Sequence, residues 1–478
     1  MKKFGWVVLL LGHVAFSYGQ QRVGLEECRR MAIENNQNLK AAEEQIKSAR
    51  AKREEVFTKY LPALDAMGTY LRNQKDVHLL ADDAHLPVGY IDGNGKWSLR
   101  PDQVMLDPTT GTPVLQNGQP VPKDWALLPK EAMTVKDKNT VLLQVGLTQP
   151  IYMGGKIRAY HQLAGLSEKL AETGRDQELQ NLILETDEAY WQVVSLVNRR
   201  QLAERYLETL QKFNHDMEVM YETRMSTKAD MLSVKVKLNQ AEMTLMRVDD
   251  GLSLSRMALN QICGLPIDTV FTLREETLEM PVVPNLSPVD MGGIWNNRPE
   301  ISSLVLATDI YRKKEKIARS EYLPTVALTA NYLAMTPSFF NGVSTKFDGM
   351  WSVGIGVKAP IFHWGASRKS VRSARYETNI MNHKLQEVRE KIELQVNQAR
   401  FRIREALKKM EMAGKNLEKA NENLKYAELG FQEGTIPVSN VLEAQTAWLS
   451  AHSDFIDSQI EVKLGEVYLQ KAYGVLGK

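Results

Sequence analysis

Two periodicities divide this chain. Short segments alternate apolar and polar residues every second position, and long tracts between them repeat apolar positions at threes and fours. In 64–70, Leu64, Ala66, Gly68 and Tyr70 share one side, against Asp65 and Thr69. In 143–148, Leu143, Val145 and Leu147 oppose Gln144, Gly146 and Thr148. In 326–332, Val326, Leu328, Ala330 and Tyr332 oppose Thr329 and Asn331; in 353–358, Val353, Ile355 and Val357 oppose Gly354, Gly356 and Lys358. A period of two predicts strands with one apolar and one polar face. The polar face is small and largely neutral, which suits a water-filled lumen, while the apolar face suits lipid or a core. A soluble, half-buried sheet gives the same alternation.

The long tracts predict helices. From Leu385 through Val388, Ile392, Val396, Ala399, Ile403, Ala406, Met410, Ala413, Leu417, Ala420, Leu424 and Ala427 to Phe431, the spacing alternates threes and fours. That is a coiled-coil seam, with alanines that let backbones approach closely. No proline interrupts 156–221 or 366–431. A helix of that length reaches ~100 Å at 1.5 Å per residue, too long for a compact domain. Each long helix breaks, at MSTKAD (225–230) and GTIPVSN (434–440), and a helix of about 35 residues follows, ending at Gly264 or Gly474. Helices of similar length are expected at 25–58 and 290–320. One long helix can thus pair along its length with two shorter ones laid end to end.

The grammar occurs twice. LTQPIYMGG (147–155) matches VKAPIFHWG (357–365) at an offset of 210, which also pairs Tyr221 with Phe431, Asp230 with Asn440 and Gly264 with Gly474. KYLPALDAMGTY (59–70) matches EYLPTVALTANY (321–332) at an offset of 262. The 52-residue difference places an insertion within 73–139. The expected division is therefore 20–263 as one repeat, a proline-rich linker over 264–290, and 291–478 as a second repeat. Two alternating segments per repeat make four strands per chain. Four strands cannot close a barrel, which needs about eight, so several chains must pool strands; three supply twelve.

Residues 1–19 carry two lysines, an apolar run from Phe4 to Phe16 and small residues ending near Gly19. That is an export signal, too short to span a bilayer. Removing Lys2 and Lys3 from 60 basic residues leaves 58 against 58 acidic ones. A neutral balance gives no general pull on nucleic acid. The chain has two cysteines, Cys28 and Cys263, near ends of the first repeat that should be adjacent, and an oxidising compartment would permit a disulfide.

ENNQNLKAA, NNRPEI, the two YLP segments, QPIYMGGK, APIFHWGA, LNQICGLP and FQEGTIPVSNVLEAQTAWLSA span nearly the whole chain after the signal. In them the sequence resembles the TolC family of outer-membrane efflux proteins. The resemblance implies an α+β membrane protein, a homotrimer whose twelve-stranded β-barrel continues as a long coiled-coil α-helical periplasmic tunnel. It implies an exit duct that meets a periplasmic adaptor protein and an inner-membrane pump. Such proteins carry acidic residues at the periplasmic aperture. Here the corresponding positions hold Asn440, which is neutral, and Glu443; Asp230 is the counterpart of Asn440 in the first repeat. A threefold Glu443 ring would favour cations. Gly434, Thr435, Ile436 and Pro437, with Met225, Ser226, Thr227 and Lys228, are the adaptor-contact candidates. Pro150 and Gly155, and Pro360 and Gly365, mark the strand-to-helix corners.

The insertion, with YIDGNGKW and VLQNGQPV, is rich in hairpin signals and is expected to be an extracellular loop. No histidine or carboxylate spacing forms a metal site, and GYIDGNGKW is one residue too long for a phosphate loop. No catalytic constellation and no cofactor motif stand out, so an enzyme is not expected. The competing reading is a structural periplasmic coiled-coil protein without a channel. Cargo is not legible, because drug, metal and protein exporters share this outer component.

Overall fold

The computed structural model describes residues 22–136, 138–276, 278, 290–340 and 344–477. The expected signal at 1–19 and, within the expected linker, residues 277 and 279–289 lie outside them. The chain folds as two compact units, each drawing on both halves of the sequence. One takes the described parts of 1–54, 160–315 and 370–478; the other takes 55–159 and 316–369.

Among the described residues eight α-helices come in chain order: α1 (Leu25–Asn35), α2 (Gln37–Thr58), α3 (Lys156–Glu222), α4 (Lys228–Cys263), α5 (Met291–Asn297), α6 (Pro299–Ser320), α7 (Ala366–Gln432) and α8 (Val438–Tyr473). Both long helices have 67 residues and both that follow them have 36. The single helices expected over 25–58 and 290–320 are instead broken, at Asn36 and Arg298. Asn36 turns extended (ψ 126°), and its side chain accepts from the Leu39 amide at 2.9 Å, capping α2. Arg298 is extended (ψ 117°) because it precedes Pro299, whose ring disfavours helical backbone one residue earlier.

The seam on α7 faces inward as its spacing requires. Ile392, Val396, Ala399, Ile403, Ala406 and Met410 are buried with Val462, Leu469 and Ala472 of α8 and with Ile294 and Ile301. A side chain on Gly465 would lie 2.7 Å from Ile403 Cδ1, so glycine there sets the approach of α8 to α7. A second core joins Cys28 to Tyr190, Val193 and Val194 of α3 and to Leu252, Leu259 and Cys263 of α4. Arg29 reaches across it to Asp187 at 2.7 and 2.5 Å.

The start of the linker is not a free tether, because Thr272–Leu273 pairs in parallel with Arg22–Val23. Cys28 and Cys263 are fully buried side by side as free thiols, with Cys263 Sγ 3.8 Å from the Cys28 carbonyl.

Gly264 ends α4 at φ +72°, and a Cβ there would meet Asn35 Cβ at 2.3 Å. Asn35 in turn donates to the Cys263 carbonyl at 2.9 Å, satisfying one of the open carbonyls at the end of α4. Gly264→Ala combines a left-handed backbone with a clash. It is expected to cost about 1–3 kcal/mol, read as a lower denaturation midpoint of the helices by circular dichroism.

In the other unit, four strands form one antiparallel sheet: β1 (Ala63–Arg72), β2 (Asn139–Met153), β3 (Thr325–Thr336) and β4 (Asp348–Lys358), in the order β4-β3-β2-β1. All four run longer than the alternation alone marks out. Their register aligns the faces. Leu64, Leu147, Ala330 and Val353 form one row across the sheet, and Ala66, Val145, Tyr332 and Trp351 the next on that face. Between them on the opposite face runs Asp65, Gly146, Asn331 and Ser352. Tyr70, Tyr152, Tyr332 and Trp351 are all exposed.

The insertion between β1 and β2 folds into short antiparallel ladders. Tyr90–Ile91 pairs with Trp97–Ser98, Leu115–Gln116 with Gln119–Pro120, and Ala84–Pro87 with Trp125–Leu128. Asn117 (φ 49°) and Gly118 (φ 80°) give the second of these the mirror-image turn that its Asn-Gly signal implies. Among the described residues, no helix is long and apolar enough to cross a membrane.

Candidate functional site

The site is built on the two turns that reverse the long helices. In the first, α3 ends at Glu222 and Arg224 takes a left-handed conformation (φ 62°). The Met225 and Ser226 amides then bond back to the Met220 carbonyl at 2.7 and 3.2 Å. In the second, α7 ends at Gln432, Gly434 takes φ 74°, and the Thr435 and Ile436 amides bond back to the Gly430 carbonyl at 2.8 and 3.3 Å. Both are left-handed helix endings whose returning amides satisfy orphaned carbonyls. Glycine meets that requirement at 434 without strain; arginine meets it at 224 with some.

The two restarts differ. Thr227 caps α4: its hydroxyl accepts from the Asp230 amide at 3.1 Å, while the Asp230 carboxylate accepts from the Thr227 hydroxyl and amide at 2.6 and 3.3 Å. This reciprocal box commits Asp230 to local structure. Pro437 occupies the same place before α8 and offers no side-chain cap, and the Asn440 amide bonds to the Pro437 carbonyl at 3.1 Å.

α4 and α8 enclose a groove of about 570 Å³ lined by Asp230, Lys237, Val438, Leu442 and Glu443 among others. Of the three expected aperture residues, Asp230 and Glu443 meet there; Asn440 is not among its lining residues. Glu443 is exposed and makes no ion pair among the described residues. Lys237, which the sequence did not single out, places a positive charge in the same groove.

A second cleft, of about 510 Å³, lies between the ends of α3 and α7 and the start of α8. Phe213, Met220, Met225, Glu428, Phe431 and Gln445 belong to its wall. The Phe213 and Phe431 rings meet edge to face at 5.4 Å. Burial raises the Glu428 carboxyl above its ordinary range. Gln445 is buried, and its side-chain oxygen has no partner among the described residues. Of the adaptor candidates, Met225 opens onto this cleft, whereas Ile436 turns inward against Ala427, Val441 and Ala444. Gly434, Thr435, Pro437, Ser226 and Thr227 stay within the two turns, and Lys228 opens α4.

Further along α8, His452 packs its ring 5.1 Å from that of Trp448. Burial, with Arg205 nearby, lowers its pKa below the ordinary value. The unfolded chain therefore binds a proton that the folded one resists. The stability contributed by neutral His452 is complete above about pH 6.5 and is lost as the pH falls toward the depressed folded value. A His452→Phe protein is expected to lose less of its thermal midpoint between neutral pH and about pH 5 than the parent protein.

The corners also differ between the halves. Pro150 lies inside β2 opposite Ala327, at a register shift, whereas Pro360 follows the end of β4. β2 is a central strand with partners on both sides; β4 is an edge. Gly154 and Gly155 turn the first corner at φ 61° and 80°, and Trp364 and Gly365 the second at φ 51° and 76°. Among the described residues, no cluster of histidine, cysteine, aspartate and glutamate is arranged to hold a metal.

The model of the outer membrane efflux protein family matches residues 29–265 and 294–475. Over 359 residues the chain is 20% identical to outer membrane protein TolC of Escherichia coli K12, covering 72% of this chain and 71% of that protein. It is 21% identical over 268 residues to alkaline protease secretion protein AprF of Pseudomonas aeruginosa, covering 55% and 54%. Its fold matches that of the outer-membrane channel OprN with a TM-score of 0.71 at 16% identity, over 94% of this chain and 89% of the other. With its rows of apolar and polar strand positions and its paired 67-residue helices, this chain belongs to the outer membrane efflux protein family, and its place is the outer membrane, with a large periplasmic part.

Proposed function

We propose that this protein is the passive exit duct of a tripartite efflux or secretion system. Three copies pool their four-stranded sheets into a twelve-stranded barrel, and their long helices line a periplasmic tunnel. The observation that carries this reading is the sheet itself. Its apolar rows lie exposed at Leu64, Val145, Tyr332, Trp351 and Val353. Its opposite face carries the small and polar rows Asp65, Gly146, Asn331, Ser352 and Thr148, Thr329, Gly354 beside a mixed row of Met67, Gln144, Leu333 and Met350. β1 and β4 present unpaired edges among the described residues. An open, half-apolar sheet is a liability in water; in a closed barrel the edges pair, the apolar face meets lipid and the polar face lines a lumen.

The turns at 222–230 and 432–440 form the periplasmic aperture in this reading. They meet the adaptor protein, and the inner-membrane pump supplies the energy. Glu443 is the free carboxylate there. Three copies around a narrow opening favour cations, with Lys237 tempering the field and Asp230 held back by its capping role. The family's description names efflux and AprF's name protease secretion, so both remain open in this reading, and cargo choice falls to the pump.

Single-channel recording in planar bilayers tests the duct. The parent protein is expected to give small, cation-selective openings, and Glu443→Ala to weaken that selectivity and raise conductance severalfold. A protein that inserts as a trimer but passes no current would overturn the reading.

A further inference from the structure

At position 364 the backbone and the side chain make opposite demands. Trp364 holds φ at +51°, a left-handed conformation that residues with a side chain rarely adopt. The matching position of the first repeat, 210 residues earlier, is Gly154 at φ +61°. A side chain on Gly154 would strike the Ser320 carbonyl and Leu323 Cβ, each at 2.9 Å. No such crowding holds Trp364, which is 86% exposed. The chain therefore places its largest side chain where glycine would sit without strain, and the ring gains little from the protein in return. Strain of this kind persists where something else uses the residue.

The neighbours indicate what uses it. Ile361 is 95% and Phe362 68% exposed, and the Phe362 and Trp364 rings meet edge to face at 5.0 Å. In the chain this apolar cluster follows the exposed apolar positions Trp351, Val353, Ile355 and Val357 of β4. Exposed cations flank it, Lys358 before and Arg368 and Lys369 after. An aromatic pair bracketed by cations at the end of a barrel strand matches a membrane boundary. There the rings sit at headgroup level and the cations meet anionic phosphates.

We propose that the corner Ile361–Trp364 is a lipid-anchoring site, seated in the phospholipid headgroup layer where β4 gives way to α7. It rests on the barrel reading above. The test uses the full-length protein in phosphatidylethanolamine–phosphatidylglycerol vesicles with bromine placed high or deep on the acyl chains. Fluorescence lost in Trp364→Phe and in Trp351→Phe reports each ring separately. The Trp364 signal is expected to be quenched more strongly by shallow than by deep bromine, with Trp351 also quenched. If Trp351 is quenched and Trp364 is not, the corner faces water or another copy; the anchor fails and the barrel stands. If neither is quenched, the barrel reading fails and takes the anchor with it.

Trp364→Gly supplies a second readout. It relieves the backbone, so helix and sheet melting should hold or rise while insertion into vesicles slows severalfold. A lower melting point would show that the ring packs within the protein, contrary to the proposal.

A separate observation concerns Cys28 and Cys263, which are 235 residues apart, both fully buried and in contact through Cys263 Sγ and the Cys28 carbonyl. We infer that the two thiols are joined as a disulfide in the exported protein, tying α1 to the end of α4. Each thiol gives up its hydrogen as the S–S bond forms. The two electrons and two protons reduce the disulfide of a periplasmic thiol oxidase to its dithiol, through a mixed disulfide made before the core closes. Protein isolated from the outer membrane, denatured in iodoacetamide without reductant, is expected to carry no adduct, and two after reduction. Two adducts without reductant would overturn the bond, and Cys28→Ser, with one adduct either way, calibrates the assay.

Discussion

Val353→Arg is expected to abolish accumulation of the protein in the outer membrane. Val353 lies in the row Leu64, Leu147, Ala330 and Val353, which is apolar on all four strands. A cation on the lipid side of a barrel costs about 2–4 kcal/mol near the bilayer midplane. In the proposed trimer three copies carry it at once, so the penalty triples. Ser352→Arg differs by one residue and points the other way, into the row of Asp65, Gly146 and Asn331. That variant should assemble and only alter ion selectivity. The measurement is the amount of each protein in outer-membrane fractions, with conductance for whichever assembles. Equal loss in both variants would contradict the assignment of the faces.

Arg298→Ala is expected to be the most damaging single truncation in the helical unit. Arg298 is only 5% exposed. Its guanidinium donates to the Lys471 and Ala472 carbonyls at 2.8 and 3.3 Å, to both Glu300 oxygens at 3.0 Å and to Gln395 at 3.2 Å. One side chain therefore satisfies the last carbonyls of α8, pairs with the first turn of α6 and touches α7. Removing it leaves partly buried Glu300 without its cation and takes a donor from the Ala472 carbonyl, while the Lys471 carbonyl keeps the Gly474 amide at 2.9 Å; the expected loss is about 3–5 kcal/mol. Arg298→Lys keeps the charge but not the planar fork, and should recover only part of it. Denaturant midpoints of the three proteins check this, and an alanine variant within about 0.5 kcal/mol of the parent, the ordinary range for surface substitutions, would contradict it.

The parts of the fold set by periodicity were legible in the chain. The alternation at 64–70 and 353–358 names the set of apolar positions that the register aligns into rows, because side chains on a strand alternate sides. The seam from Leu385 to Phe431 names the buried side of α7 because threes and fours keep one helix face toward its neighbours. The helix breaks were harder to see. The seam covers neither Asn36 nor Arg298, and only Pro299 and the cluster NNQN hint at the breaks there. Strand ends were also hidden, since the pairing of Asn139 with Arg72 depends on a neighbouring strand rather than on local pattern.

At the tip, charge was readable but commitment was not. Asp230 stands where an aperture carboxylate is expected, yet Thr227 and Asp230 stand at capping-box spacing, and the structure commits that carboxylate to the helix end. Lys237 and Gln445 join their clefts through tertiary contacts between helices distant in sequence. The substitution of Trp364 for glycine is visible when the two corners are aligned, but its left-handed backbone is not.

The central claim, that separate chains close one barrel edge to edge, is tested most directly by crosslinking β1 of one copy to β4 of the next. A cysteine is placed at Thr69 and a second is stepped along β4 from Met350 to Val357, in protein oxidised within outer membranes. The account predicts one or two positions that give covalent dimers and trimers and nothing larger. Protein that stays at the mass of a single chain at every position would contradict it.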